Sequence, residues 1–188
     1  MFECPPDQRF LIAANAEGGR LLEEILTAPN GVAQRYHLDE SQLQSFKSQL
    51  LHRLITHLRS VPIGLRVSQK LSIDIPELLE LETANVDREL ALATESLSAG
   101  IQEMMPTEVF DPTQAINTAY ALFWAEHLEK PEIVNPFRVA GFEGQGAHLL
   151  HLMDSIPGDP LHDNELIDSW ANYLGIRSWY AWLPYQAP

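Results

Sequence analysis

The sequence has little cysteine, no long apolar run and few positive charges. Its single cysteine, Cys4, cannot form an internal disulfide, and 188 residues are enough to bury a core without one. Because chains without disulfides are typical of reducing compartments, we expect a cytoplasmic protein. No stretch approaches the roughly 18 consecutive apolar residues of a membrane span, so the sequence predicts no membrane partner.

Positive charge is scarce, and it is unevenly distributed along the chain. There are 12 Lys and Arg against 26 Asp and Glu, which gives a formal net charge of −14. Residues 41–73, the basic segment, contain five Lys or Arg and no acid. Residues 74–111, the acidic segment, contain ten acids and one Arg. General binding to nucleic acid or to an anionic membrane is therefore disfavoured, because phosphate neutralisation needs clustered cations.

These two segments allow two interpretations. They could pack against each other, so that their charges cancel inside one domain as the solvated faces of neighbouring helices. Alternatively, the acidic segment could remain free and attract the basic surface of another protein. The sequence leaves both interpretations open, because charge pairing depends on which helix faces meet.

Apolar spacing predicts a mainly α-helical single domain with about five or six helices. The clearest helix covers 39–60, with Asp39 as its N-cap and Pro62 as its stop. Further helices are predicted near 17–28, 85–105, 112–130, 145–153 and 164–174. Residues 63–75 alternate apolar and polar side chains, which predicts a small β-hairpin. Residues 131–188 hold six Pro and five Gly, so we expect a loop-rich C-terminal third.

Aromatic side chains are concentrated at the C-terminus, after the last predicted helix. Tryptophan and tyrosine are large, rigid side chains of the kind that dominate binding hot spots. Since no nucleophile motif is present, we predict a non-enzymatic regulatory or adaptor protein without a cofactor, whose partner is a protein with a basic surface. The candidate contacts are Glu77, Glu80, Glu82, Glu89, Trp179, Tyr180 and Trp182. Association with further copies of this chain stays open.

Residues 32–60 carry a helix-turn-helix pattern, which gives an alternative function. The apolar positions that would lock two helices across a tight turn are Val32, Ala33, Tyr36, Leu38, Leu43 and Phe46. The stretch resembles bacterial helix-turn-helix domains, although His37 stands where a turn glycine is commonest and the second helix is long. The resemblance implies a transcription regulator that contacts DNA through Arg35, Gln42, Gln44, Lys47 and Arg53. An ordinary helical corner has the same packing demands.

A histidine and carboxylate cluster gives a second alternative. His148 and His151 lie one helical turn apart, so both could bind one divalent ion. A chain reversal at 157–160 could add His162 or Asp163 as a ligand and leave a position open for water, which would suit a metal-dependent hydrolase. No recognised metal-binding spacing contains these residues, and surface histidines beside a loop explain the pattern equally well.

Overall fold

The chain is mainly α-helical, as its apolar periodicity predicted. The computed structural model describes residues 10–75 and 77–184, apart from the side chains at 10 and 78–82. The strands and α-helices are β1 (Phe10–Ala14), α1 (Ala16–Thr27), α2 (Val32–Arg35), α3 (Glu40–Asp74), α4 (Leu78–Glu95), α5 (Ala99–Met104), α6 (Thr107–His127), α7 (Asn135–Val139), α8 (Glu143–Ser155), α9 (Asp163–Tyr173) and β2 (Tyr180–Pro184). Short 3-10 helices cover Pro131–Val134, Pro160–His162 and Arg177–Trp179. Within the described ranges, α1, α3, α4, α6, α8 and α9 are the long helices, which agrees with the predicted five or six.

The start of α3 is the predicted one. The side chain of Asp39 accepts a hydrogen bond from the backbone N–H of Gln42 at 2.8 Å. The side-chain oxygen of Gln42 accepts one from the backbone N–H of Asp39 at 2.9 Å. This reciprocal capping box satisfies two N–H groups that would otherwise lack partners, so the helix start is set locally.

The end of α3 corrects two predictions, because the helix passes through Pro62 and no β-hairpin forms at 63–75. Proline removes one N–H donor from a helix, but burial of Leu58 and Leu65 on either side holds this helix together. The alternation at 63–75 was misleading, since Ile63, Val67 and Leu71 also recur at every fourth position and so share one helical face.

The central helix of the core is α6, which packs against α3, α4 and α8. It begins at Thr107 rather than near 112, so Asp111 lies inside the helix and does not cap it. Gly146 brings α8 close to α6, since a Cβ at this position would lie only 2.8 Å from the backbone nitrogen of Ala119. Absence of a side chain at Gly146 therefore allows the close packing of these two helices.

The C-terminal third contains more regular structure than we predicted. Most of residues 131–184 lie in α7, α8, α9 or the short 3-10 helices, so the loop-rich prediction is wrong. Helices α8 and α9 match the ones predicted at 145–153 and 164–174. Gly175, directly after Leu174, has a φ of +73°, a conformation that glycine adopts easily and that commonly ends a helix. The many Pro and Gly residues here separate short helices instead of forming long loops.

The two ends of the described chain meet in a small sheet that we did not predict. Strands β1 and β2 pair in antiparallel register, with Phe10 opposite Pro184 and Ala14 opposite Tyr180. Strands of five residues that pair across almost the whole chain leave no hairpin signal in the sequence. Between residues 10 and 184, with the gap at 76, no helix has the length and apolar character needed to cross a membrane.

Candidate functional site

The acidic segment runs from the last residue of α3 through α4 and α5 to the first turn of α6. Val86 and Leu90 are buried on the inner side of α4, so the charged positions of this amphipathic helix face solvent. Seven carboxylate side chains in the described part of this segment are exposed, namely Asp74, Glu77, Asp87, Glu89, Glu95, Glu103 and Glu108. We call these seven residues the acidic surface. The candidates Glu77 and Glu89 belong to it, whereas the side chains of Glu80 and Glu82 lie outside the described residues.

Among the described residues, nearly all of the acidic surface lacks a counterion. Within the described part of the segment, the one ion pair joins Arg88 to Glu89 at 3.3 Å, and both side chains are substantially exposed. Neighbouring exposed ion pairs of this kind contribute little to stability. The other members of the acidic surface therefore keep their negative charge available to solvent.

Two of the five cations of the basic segment, Lys47 and Arg66, are paired with other parts of the fold, whereas Arg53, Arg59 and Lys70 are exposed. Lys47 forms an ion pair with Glu23 of α1. Arg66 is buried and lies 3.1 Å from Asp163 at the start of α9, and it also donates to the backbone carbonyl of Ile156 at 3.0 Å. Among described residues, no ion pair joins the basic segment to the acidic segment. The ion pairs therefore do not support the interpretation in which the charges of the two segments cancel.

The C-terminal aromatic residues are not the exposed anchors that we predicted. Trp179 is 5% exposed and Tyr180 is 2% exposed, so both belong to the core, and Trp182 is half-buried. Gly18 of α1 makes this burial possible, because a Cβ at this position would lie 2.4 Å from the backbone oxygen of Trp179. The sequence could not reveal this, since the close approach joins two ends of the chain.

A single carboxylate holds the aromatic segment in place. Asp168 of α9 accepts from the Tyr180 hydroxyl at 2.5 Å and from the Trp182 indole at 2.9 Å. The Arg177 guanidinium lies 3.0 Å from the same carboxylate oxygen. Burial, followed by the contact with Asp168, raises the pKa of Tyr180, so its hydroxyl remains a proton donor. These contacts hold Tyr180 and Trp182 against α9.

The turn of the helix-turn-helix pattern is present, but its first helix is too short. His37 has a φ of +52°, which is the conformation for which glycine is favoured at such a turn. However, α2 is a single turn of four residues. In a helix-turn-helix domain the first helix crosses the DNA backbone and supports the recognition helix. Helix α2 is far too short for this role.

Three of the five predicted DNA contacts are also engaged within the protein. Gln42 forms the capping box, Gln44 donates to Glu40 at 3.0 Å, and Lys47 pairs with Glu23. Arg35 and Arg53 are exposed. Two exposed arginines are a small cationic area compared with the clustered phosphate contacts on which DNA affinity depends.

The four candidate metal ligands are not brought together. His162 lies 3.0 Å from Glu165, and Asp163 is paired with Arg66. The rings of His148 and His151 are 6.3 Å apart, and His148 packs against Tyr173 at 4.2 Å. No group of three His, Cys, Asp or Glu suited to a metal ion occurs in the ranges 10–75 and 77–184. The helical spacing of the two histidines is correct, but no third ligand joins them.

A buried polar network, for which the sequence pattern gave no signal, joins α3 to α6 and the end of α4. His57 Nε2 lies 2.8 Å from the side-chain oxygen of Asn117, and the amide of Asn117 donates to the Ser96 hydroxyl at 3.1 Å. Gln114 donates to the same hydroxyl at 3.0 Å. Burial lowers the pKa of His57, although the contact with Asn117 and the charge of Glu89 oppose this effect. Because Asn117 stands between His57 and Ser96, the arrangement joins helices and does not provide a base beside a nucleophile.

Comparison of the chain with protein-family models, with curated proteins and with solved structures finds no match. Similarity therefore assigns neither a family nor an activity to this chain. The charge, burial and contacts described above are the basis on which a function can be proposed.

Proposed function

We propose that this protein is a non-enzymatic adaptor or regulator that binds another protein with a basic surface through its acidic surface. The observation that carries the proposal is the lack of internal counterions for these exposed carboxylates among the described residues. Uncancelled charge of one sign creates a potential that steers an oppositely charged partner and repels nucleic acid. The buried C-terminal aromatic residues are not part of this proposed interface.

The pairing of Lys47 and Arg66 supports the same proposal. If Lys47 and Arg66 faced the acidic segment, the field of that segment would be reduced at short range. Their partners are instead Glu23 and Asp163, which lie far away in sequence and belong to α1 and α9. The acidic surface can therefore act on molecules in solution over roughly one Debye length, about 10 Å at 0.1 M salt.

Binding of decalysine, measured by fluorescence anisotropy at low and high salt, tests the proposal. The test variant combines Asp87→Asn, Glu95→Gln and Glu103→Gln, which removes three charges from the acidic surface. We expect it to bind decalysine about fivefold to tenfold more weakly at low salt, since three exposed pairs of about 0.3 to 0.5 kcal/mol each sum to roughly 1 to 1.5 kcal/mol. The difference should shrink at high salt because exposed charges are screened.

A matched control removes three exposed carboxylates elsewhere, through Glu126→Gln, Glu132→Gln and Asp154→Asn. It changes the net charge equally but leaves the acidic surface intact, so it should weaken decalysine binding by less than about twofold. Equal losses in both variants, or no binding by the unmodified protein, would contradict the proposal. A short DNA duplex serves as the second probe, because its binding would favour the helix-turn-helix alternative instead.

A further inference from the structure

An apolar cleft lies where α1, the start of α6 and the segment after α9 meet. Its volume is about 420 Å³, and its walls include Leu21, Ile25, Ile176 and Trp179. Glu108 and Asp111 of α6 also line it. The cleft therefore places two carboxylates from the acidic segment beside an apolar wall that the C-terminal aromatic segment helps to form.

The described part of the chain places no compensating positive charge on the two carboxylates in this cleft. None of the described residues that line it is Lys, Arg or His. The N-terminus of α6 favours the charge of Glu108 in its first turn, but Asp111 lies beyond that turn. Burial, followed by the charge of Glu108, raises the pKa of Asp111. A cation entering the cleft would relieve the unfavourable interaction between these two groups.

A second apolar groove shows why charge identifies the occupant of this cleft. The groove is larger, about 560 Å³, and is lined by residues such as Val32, Tyr36 and Phe46. Its polar lining consists of serine and glutamine side chains, which favour no particular charge. Nothing there selects a partner, whereas the cleft at Glu108 and Asp111 combines apolar walls with negative charge.

We propose that this cleft receives the side chain of one lysine or arginine from the basic partner protein. The methylene stem of such a residue would pack along Ile25, Ile176 and Trp179, as long cationic side chains do on apolar surfaces. Its charged end would lie between Glu108 and Asp111, which provide charge-assisted hydrogen-bond acceptors. This inference rests on the proposed function, since it names the anchor of the same interface.

Decalysine is again the probe, and the test variant combines Glu108→Gln with Asp111→Asn. Burial already disfavours the charged form of Asp111, so we expect this variant to fold. Its decalysine affinity should be about tenfold lower, as expected when a partly buried charge pair loses its acceptors. The control pair, Glu126→Gln with Glu132→Gln, changes the net charge equally and should alter the affinity by less than about twofold.

A second variant blocks the cleft without changing its charge. Thr107 is exposed and lines the cleft, so Thr107→Trp should obstruct entry and reduce decalysine affinity about fivefold or more. Thr94→Trp places the same side chain at an exposed position of the acidic segment and should have little effect.

The outcomes separate the cleft from the broader proposal. A selective loss in both cleft variants supports the anchor. If the unmodified protein binds decalysine but the cleft variants match their controls, the anchor is overturned and the acidic surface stands. If the unmodified protein does not bind decalysine at all, the proposed function fails and the anchor fails with it.

Discussion

Replacing Gly146 by alanine tests the packing of α8 against α6, which organises the core. A Cβ at Gly146 would lie 2.6 Å from the Thr118 methyl and 2.8 Å from the backbone nitrogen of Ala119. Restoring the second contact to 3.4 Å, the start of ordinary van der Waals distances, needs a shift of about 0.6 Å between the helices. Backbone atoms cannot rotate away, so the shift must open gaps among buried side chains such as Leu149.

The magnitude follows from two opposing effects. Overpacking in a core costs about 1 to 3 kcal/mol, and contact with backbone places Gly146→Ala near the upper end. Alanine returns about 1 kcal/mol through its higher helix propensity. We therefore expect the free energy of unfolding to fall by about 2 kcal/mol, measured by urea denaturation with far-ultraviolet circular dichroism.

Gly144 provides a matched control in the same helix. It is exposed, and a Cβ there would meet nothing within 4 Å. Gly144→Ala should therefore raise the free energy of unfolding by up to about 1 kcal/mol, since only the propensity gain remains. The reasoning is refuted if Gly146→Ala is as stable as the unmodified protein, or if both alanine variants lose stability equally.

Three further predictions concern buried polar contacts, and all use urea denaturation. Asp168→Ala removes the acceptor shared by two C-terminal aromatic side chains, so the free energy of unfolding should fall by about 2 kcal/mol. Arg66→Ala leaves the partly buried Asp163 without its cationic partner, so the free energy of unfolding should fall by about 3 kcal/mol. Burial lowers the pKa of His57, so the unfolded chain binds more protons than the folded one as pH falls below the ordinary histidine value of 6.5. The stability that neutral His57 provides is thus complete above pH 6.5 and should be lost progressively below it.

Each of these predictions has its own comparison. Asp154→Ala and Arg53→Ala alter exposed residues without an ion pair among the described residues, and each should change stability by less than about 0.5 kcal/mol. Equal losses of stability in these two control variants would count against the stabilising roles of Asp168 and Arg66. His57→Gln keeps a donor for Asn117 but does not titrate, so its stability should vary less between pH 7 and pH 5.5. An unchanged pH profile in that variant would exclude His57 as the cause.

The sequence determined most of the helices because their signals are local. Asp39 and Gln42 cap α3 within one turn, and apolar residues at helical spacing placed α8 and α9 correctly. Pro62 shows the limit of such signals, because a proline either ends a helix or lies within it depending on what packs around it. Burial of Leu58 and Leu65 decided that outcome here, and it is a property of the folded core.

The same limit applies to the candidate site. Composition and charge counts identified the acidic segment, since they need no knowledge of the fold. Only the tertiary structure decided which charges are neutralised, because Arg66 meets Asp163 across 97 positions of sequence. It likewise buried Trp179 against Gly18 and opened a cleft beside Asp111. The spacing of apolar residues predicts which side of one helix faces inward. An ion pair between distant residues, or a cleft, forms only where separate elements meet.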